Sequence, residues 1–215
     1  MPGTIKNIAS SAIGKRALAT FYLFFLVVLG LSGCAVPLQT NPSVVYDFGP
    51  ASVSSVEAPG LRMPPLAMAA VQAPAALDST AVLYRLTYVD ARQLRPYSQA
   101  RWSMAPAQLV EQRVRARLGQ ERAVLNPGEG ATRVLQIELD EFSQVFEAPA
   151  QSAGLLRLRA TLLQLTPAGA SLVAQRNVLV QRPAPSADAP GGVRALTAAT
   201  DAAADELVQW LAQLR

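Results

Sequence analysis

"RVLQIELDEF", residues 133–142, is the stretch of this sequence that decides the fold. Apolar and polar residues alternate along it, which is typical of a β-strand with one buried face (Leu135, Ile137 and Leu139 against Gln136, Glu138 and Asp140). A second stretch, "LLRLRATLLQL" (residues 155–165), alternates in the same way but carries Arg157 and Arg159 on its polar face. Because opposite charges on facing strands attract, the sequence predicts an antiparallel pair with acidic residues beside arginines.

Further strands and two long helices are predicted around this pair. The strands cover Ser43–Phe48, Leu66–Val71, Thr80–Val89 and Ser171–Gln181. One helix follows the candidate cap Ser103, has Pro106 in its first turn and ends at Gly119. The last helix covers about Val193–Leu214, and segments 147–154, 166–169 and 182–192 are predicted connections. The predicted fold class is α/β (α+β), a mixed, largely antiparallel sheet with two long helices packed on it. Part of the sheet is expected to face water or a partner.

The N-terminus has the parts of an export signal. Lys6, Lys15 and Arg16 precede an almost wholly apolar run over residues 17–31, which is short for a membrane span. Leu31-Ser32-Gly33-Cys34 then looks like the lipobox of bacterial lipoproteins, and Cys34 is the only cysteine of the chain. We expect residues 1–33 to be a signal peptide, Cys34 to carry the lipid, 34–43 to be a tether, and 44–215 to form one domain. The alternative is an uncleaved anchor helix with an incidental cysteine.

The residue following Cys34 bears on localisation. Aspartate there favours retention in the inner membrane of enteric bacteria, whereas this chain has Ala35. We therefore expect the protein at the outer membrane, anchored by lipid and facing the periplasm, rather than at the inner membrane.

Composition excludes most catalytic machinery. The chain has no histidine, and Cys34 is used for the lipid, so triads, Cys–His pairs and the usual zinc sites are excluded. Three of the 19 Lys and Arg residues lie in the leader, and the remaining cations nearly balance 15 acids, which is unfavourable for nucleic-acid binding. Glu138 and Asp140 remain as an acid/base pair or half a cation site, although a solvated strand face is the favoured interpretation. We expect no enzyme activity, no cofactor and no metal.

Several segments in order resemble one family. They are "YDFGP" (Tyr46–Pro50), "LDSTAVLYR" (Leu77–Arg85), "RWSMAPAQLVEQRV" (Arg101–Val114), "LQIELDEFSQVFE" (Leu135–Glu147), "LRLRATLL" (Leu156–Leu163) and "AATDAAADELVQWL" (Ala198–Leu211). Together with the lipobox they resemble the ABC-type transport auxiliary (PqiC-like) lipoprotein family. The resemblance implies a fold like the N-terminal domain of TolB and a ring-shaped homo-oligomer. It also implies an MCE-domain protein and an ABC permease and ATPase as partners in lipid transport between membranes.

Five residues are candidates for a partner or lipid interface. Trp102 is interpreted either as a core residue or as an interface anchor. Phe142 and Phe146 share the face of Glu138 and Asp140 if the strand continues, and would then meet lipid or a partner. Arg157 and Arg159 are the candidate cations of the same surface.

Three functions are weighed. The leading hypothesis is a membrane-tethered periplasmic subunit of an ABC/MCE-type lipid transport system that acts by binding. The alternative is a lipopolysaccharide or outer-membrane assembly lipoprotein, which a basic patch for lipid A would favour. The third is a carboxylate hydrolase of cell-wall glycan, for which only Glu138 and Asp140 are available.

Overall fold

The computed structural model describes residues 42–50 and 63–214, which belong to one compact unit beginning at Pro42. The predicted signal peptide, Cys34 and most of the tether lie outside the described residues. Within those residues, no helix is both long enough and apolar enough to cross a bilayer.

Eight strands and three helices make up the described chain, and their bounds are as follows. The strands are β1 (Val44–Tyr46), β2 (Leu66–Met68), β3 (Ala81–Leu86), β4 (Leu94–Trp102), β5 (Val124–Leu125), β6 (Arg133–Ala148), β7 (Gln151–Thr166) and β8 (Gly169–Pro183). The helices are α1 (Thr87–Asp90), α2 (Pro106–Leu118) and α3 (Ala189–Gln213), and Ala75–Leu77 form a 3₁₀ turn.

Strand β6, 16 residues long, organises a single mixed sheet. One edge of β6 pairs antiparallel with β7, which pairs antiparallel with β8. The other edge pairs in parallel with β2 near its start and with β3 near its end. Beyond β2 lies β5, in parallel, while beyond β3 lie the antiparallel β4 and then β1, parallel to β4. The predicted fold class and the predicted central pair are both confirmed.

Helices α2 and α3 pack against one face of this sheet and against each other. The apolar residues predicted for that face, Leu135, Ile137 and Leu139, are at most 1% exposed. Glycines permit the closest contact: a Cβ on Gly154 of β7 would lie 2.6 Å from the backbone of α3 at Ala195 and Leu196. The chain therefore uses the absence of a side chain at residue 154 to seat α3 directly on the sheet.

Several predicted boundaries are wrong. The strand over Thr80–Val89 ends at Leu86 and continues as α1, and β4 was missed altogether. The predicted connection over 147–154 is mostly strand, because β7 starts at Gln151 and its small residues pack beneath α3.

The two long helices also begin differently from the prediction. Ser103 does not cap α2, whose N-cap is Ala105 without a side-chain hydrogen bond, although Pro106 is the first helical residue and Gly119 the C-cap. Helix α3 begins at Ala189 rather than Val193, because the carboxylate of Asp188 accepts a hydrogen bond from Gly191 N at 2.8 Å. A Cβ atom at residue 191 would lie only 2.0 Å from Ser186 O, so glycine is required inside this capping turn.

Candidate binding surface

The sheet face opposite α2 and α3 is the candidate binding surface, and we call it the open face. Its residues alternate with the buried ones along β6, β7 and β8. The register places Glu138 opposite Arg159, Gln136 opposite Thr161, and Arg157 opposite Leu179. The prediction that part of the sheet surface remains exposed is therefore consistent with this face, on which Arg157 and Leu179 are more than half exposed.

The centre of the open face carries paired charges. Glu138 and Arg159 form an ion pair between directly opposite residues, as the alternation predicted. Hydrogen bonding to Glu138 and its negative charge raise the pKa of Arg159 above its ordinary value. Both side chains remain about half exposed, so solvent screens the pair and it adds little to stability.

Glu141 is the more firmly held carboxylate of this face. Its oxygens accept hydrogen bonds from Arg85 Nε and Nη2 at 3.3 and 3.2 Å and from Ser143 Oγ at 2.6 Å. Arg157 lies 4.0 Å away, and the Glu141 side chain is only 12% exposed. A carboxylate with this many donors is fixed as a structural acceptor. The negative charge of Glu141 is therefore offset by Arg85 and Arg157.

A β-bulge explains why two aromatic residues are not on this face. The pairing of β6 with β7 shifts between Leu139 and Glu141, so Asp140 is an extra residue and the alternation reverses after it. Phe142 and Phe146 consequently point into the core and are 1% and 6% exposed. Their assignment to a lipid or partner surface is wrong, because a strict two-residue period does not continue through a bulge.

Trp102 is a core residue. It is 2% exposed, and its ring lies 5.6 Å from that of Phe48 and 5.7 Å from that of Phe142. The core interpretation of Trp102 holds, and the interface-anchor interpretation does not. Among the five candidate interface residues, only Arg157 and Arg159 are exposed, at 54% and 42% of their side chains.

Arg113 of α2 contacts both the segment that follows β1 and helix α3. Its Nη2 donates to Phe48 O at 2.5 Å, its guanidinium lies 5.7 Å from the Phe48 ring centre, and Nη1 is 3.3 Å from Asp201 on α3. Burial raises the pKa of Asp201, against the opposing effect of Arg113. A pocket of about 310 Å³ lies beside this arginine, between Phe48, Met104 and Leu109. The guanidinium of Arg113 is already bound to Phe48 O and Asp201. We therefore interpret the pocket as a gap in the packing between α2 and the segment that follows β1.

A buried polar network lies beneath the start of α3 and was not predicted. Gln144 is fully buried, accepts a hydrogen bond from Tyr97 Oη at 2.8 Å and donates one to Ser152 Oγ at 2.8 Å. Burial, with smaller contributions from Tyr84 and Asp188, raises the pKa of Tyr97 well above its ordinary value. Gly192 leaves room for this network, since a Cβ there would lie 2.0 Å from Gln144 Oε1. Among the described residues, no buried side-chain atom of this network lacks a hydrogen-bond partner, so the network helps to fix the position of α3.

The turn between β7 and β8 carries exposed apolar side chains. Leu165, Leu172 and Val173 are 41%, 64% and 40% exposed, and Leu172 lies directly opposite Leu163 on the open face. Sequence inspection missed this feature, although a signal was present: residues 160–175 contain no charge. We call residues 163–173 the hairpin tip.

Comparison with known proteins agrees with this fold. A crystal structure of a Xanthomonas campestris protein of the DUF330 family superposes with a TM-score of 0.66 at 23% identity, covering 80% of this chain and 96% of that one. A second crystal structure, of an uncharacterised protein, gives a TM-score of 0.62 at 13% identity, covering 79% of this chain and 99% of the other. No curated protein matches the chain.

The family assignment rests on sequence. Residues 46–208 match the family described as "ABC-type transport auxiliary lipoprotein component", which spans β1 to the second half of α3. This range contains every long strand, all of α2 and most of α3, so the match covers the folded core and extends far beyond one motif. The chain belongs to the ABC-type transport auxiliary lipoprotein component family.

Proposed function

We propose that the protein is a lipid-anchored periplasmic subunit of an ABC/MCE-type system that transports lipids between membranes, and that it acts by binding. The observation that carries this proposal is the family match over residues 46–208. The family is one of transport auxiliary components and is not a known enzyme family. The charges of the open face support a binding role, because Glu138 and Glu141 are occupied by arginines and are not poised for acid–base chemistry.

The anchor follows from the lipobox. Cys34 carries the lipid, residues 1–33 are removed as the signal peptide, and the tether connects Cys34 to β1. Ala35 in place of an aspartate supports a location at the outer membrane, facing the periplasm. Tethering confines the domain to a layer near the membrane, which raises its effective concentration for any partner in that layer.

The partners we propose are the MCE-domain protein and, through it, the ABC permease and ATPase. The resemblance also favours a ring-shaped homo-oligomer of the lipoprotein. Nucleic acid is not a partner on this account, because the domain lacks a basic surplus.

The alternative of a lipopolysaccharide assembly lipoprotein loses its main support. It depended on a basic patch, for which Arg157 and Arg159 are the candidate cations. Glu141 and Glu138 neutralise these two arginines, so phosphate groups of lipid A would have to displace existing ion pairs.

The anchor is tested with Cys34→Ala. We expect this variant to lose incorporation of radioactive fatty acid, whereas Ser32→Ala, which keeps a small residue and the cysteine, retains it. Label persisting in Cys34→Ala would contradict the anchor.

The requirement for tethering is tested by replacing residues 1–34 with a plain cleavable signal. We expect a folded domain that binds the MCE-domain protein only weakly and fails to complement a deletion strain, since it is no longer concentrated at the membrane. Full complementation by the untethered domain would contradict the role of the anchor, and turnover of a glycan or ester by the purified lipoprotein would contradict action by binding alone.

A further inference from the structure

The hairpin tip is an exposed apolar surface at one end of the sheet. Leu163, Leu165 and Leu172 lie on the open face and are flanked by no charged residue between Ala160 and Gln175. A run without charge is unusual on a solvated hairpin, and contiguous exposed apolar side chains commonly mark an interaction site.

The edge of β8 beside the hairpin tip is also open. Among residues 42–50 and 63–214, no strand pairs with the outer edge of this 15-residue strand. Edge strands usually carry charges that prevent pairing with another chain. On β8 the charges are Arg176 and Arg182, and Arg176 is bound to Glu206 of α3 at 2.7 Å. The half of β8 next to the hairpin tip therefore lacks this protection.

The strand register places the hairpin tip far from the start of the domain. Val44 of β1 pairs with Ala100, and the next residue of β4, Arg101, pairs with Ala81 of β3. The parallel register of β3 on β6 sets Ala81 level with Glu141, which pairs with Arg157. The start of β1 is therefore about level with Arg157. From Arg157 to the turn at the hairpin tip is about ten residues, or roughly 33 Å of strand.

The direction of β1 adds to this separation. The hairpin tip lies beside the start of β6. Since β1 is parallel to β4, and β4 is antiparallel to β3 and β6, β1 runs towards the hairpin tip. The chain therefore enters β1 at the end that is farther from the hairpin tip. The tether, residues 35–43, spans at most about 30 Å when fully extended. Even a fully extended tether of about 30 Å is shorter than the roughly 33 Å that separates the start of β1 from the hairpin tip, which favours a protein over a lipid surface as its occupant.

The two-fold β8–β8 pairing that would align the exposed leucines of two copies is not possible. Leu172 and Leu179 both lie on the open face, and aligning them across an antiparallel β8–β8 pair would set Gln175 opposite Arg176. Gln175 belongs to the open face, where it donates to Thr161 Oγ1, and Arg176 to the helix face, where it binds Glu206. Directly opposed residues must share a face, so the bulge at Val173 prevents this arrangement.

We propose that the hairpin tip and the free edge of β8 dock an extended, uncharged strand of the transport partner, at the end of the domain remote from the anchor. This inference rests on the proposed function. Backbone groups of β8 supply hydrogen bonds to the added strand, and Leu163, Leu165 and Leu172 receive its apolar side chains. Three leucines make a smaller contact than the about 20–30 residues a side of a standard interface, so we expect a weak affinity.

The test uses Leu172→Glu and the matched control Val45→Glu. Leu172 and Val45 are 64% and 63% exposed, on opposite edges of the sheet, so neither change disturbs the core. The detergent-solubilised lipoprotein is titrated against its purified MCE-domain partner. We expect Leu172→Glu to weaken binding at least tenfold and Val45→Glu less than twofold. Equal binding by wild type and Leu172→Glu overturns this inference but leaves the proposed function intact, whereas no binding by wild type refutes both.

Crosslinking identifies the occupant directly. Since Cys34 is the only native cysteine and is consumed by the lipid, Leu172→Cys supplies a single free thiol for a photoactivatable label. A crosslink to the MCE-domain protein in membranes supports the inference. A crosslink to a second copy, or to lipid in vesicles of phosphatidylethanolamine and phosphatidylglycerol, overturns it.

Discussion

Substituting Gly154 with alanine tests the contact on which the packing of α3 depends. The new Cβ would lie 2.6 Å from Ala195 C and Leu196 N, and both are backbone atoms that cannot rotate away. An ordinary contact of about 3.4 Å or more requires α3 to move by roughly 0.8 Å, although its buried residues Leu196, Ala199 and Ala203 are already close-packed. Overpacking of this kind costs about 1–3 kcal/mol, and we expect the upper part of that range because backbone must shift.

The assay is thermal unfolding of the purified lipoprotein in detergent, followed by circular dichroism. For a domain of this size each kcal/mol lowers Tm by about 2–4 °C, so we expect Gly154→Ala to lower Tm by roughly 4–12 °C. Gly119→Ala is the control, since Gly119 has an ordinary right-handed conformation with φ of −60° and a Cβ there would lie 3.2 Å from Arg115 O, compared with 2.6 Å for the nearest atoms at Gly154. We expect alanine at residue 119 to change stability by about 1 kcal/mol or less. An unchanged Tm in Gly154→Ala, measured beside that control, would refute the close contact of α3 with β7.

Three further substitutions test the sheet and the start of α3. Ile137→Asp places an unpaired charge at a site 1% exposed, which costs several kcal/mol against a total stability of about 5–15 kcal/mol, and we expect no cooperative melting transition; a normal melt would contradict the predicted central pair. Glu141→Ala removes the carboxylate to which Arg85 Nε and Nη2 and Ser143 Oγ donate, and should cost about 1–3 kcal/mol in urea unfolding, more than Glu138→Ala on the same face; the reverse order would show that the Glu141 cluster is not structural. Asp188→Ala removes the N-cap of α3 and should cost about 1 kcal/mol at pH 7. Hydrogen bonds from Ser186 Oγ and Gly191 N lower the pKa of Asp188 in the folded state, so its contribution is complete above the ordinary pKa of 3.8 and is lost as the pH falls through the lower folded value. A difference between Asp188→Ala and wild type that persists unchanged at pH 2 would contradict that cause.

The central strands were predictable because their alternation follows directly from burial on one side. Leu135, Ile137 and Leu139 face the helices, and Glu138 meets Arg159, as the pattern indicated. Two-residue periodicity is a strong signal wherever one face of a strand is buried and the other is wet.

Features that depend on packing between distant segments were not predictable. The bulge at Asp140 reverses the alternation with no local sign, and so Phe142 and Phe146 were placed on the wrong face. The start of β7 contains Ser152 and Gly154, which are typical of loops, yet Gly154 is required by the close approach of α3 and Ser152 accepts a hydrogen bond from Gln144.

The candidate surface shows the same division. Arg157 and Arg159 were correctly expected on the polar side of β7. The contacts of Glu141 with both Arg85 and Arg157 could not be predicted, because they depend on the parallel pairing of β3 with β6. The leucines of "LLQL" (residues 162–165) are typical of a buried strand, and only the strand register shows that Leu163 and Leu165 lie on the open face. The apolar hairpin tip was therefore not predicted.

Co-purification of the native lipoprotein from detergent extracts of envelope membranes tests the proposed function most directly. The account predicts that an MCE-domain protein or its ABC permease is recovered with the wild-type lipoprotein, and that recovery falls sharply with Cys34→Ala. Recovery of a lipopolysaccharide-export barrel in place of the MCE-domain protein and permease would contradict it and restore the assembly-lipoprotein alternative.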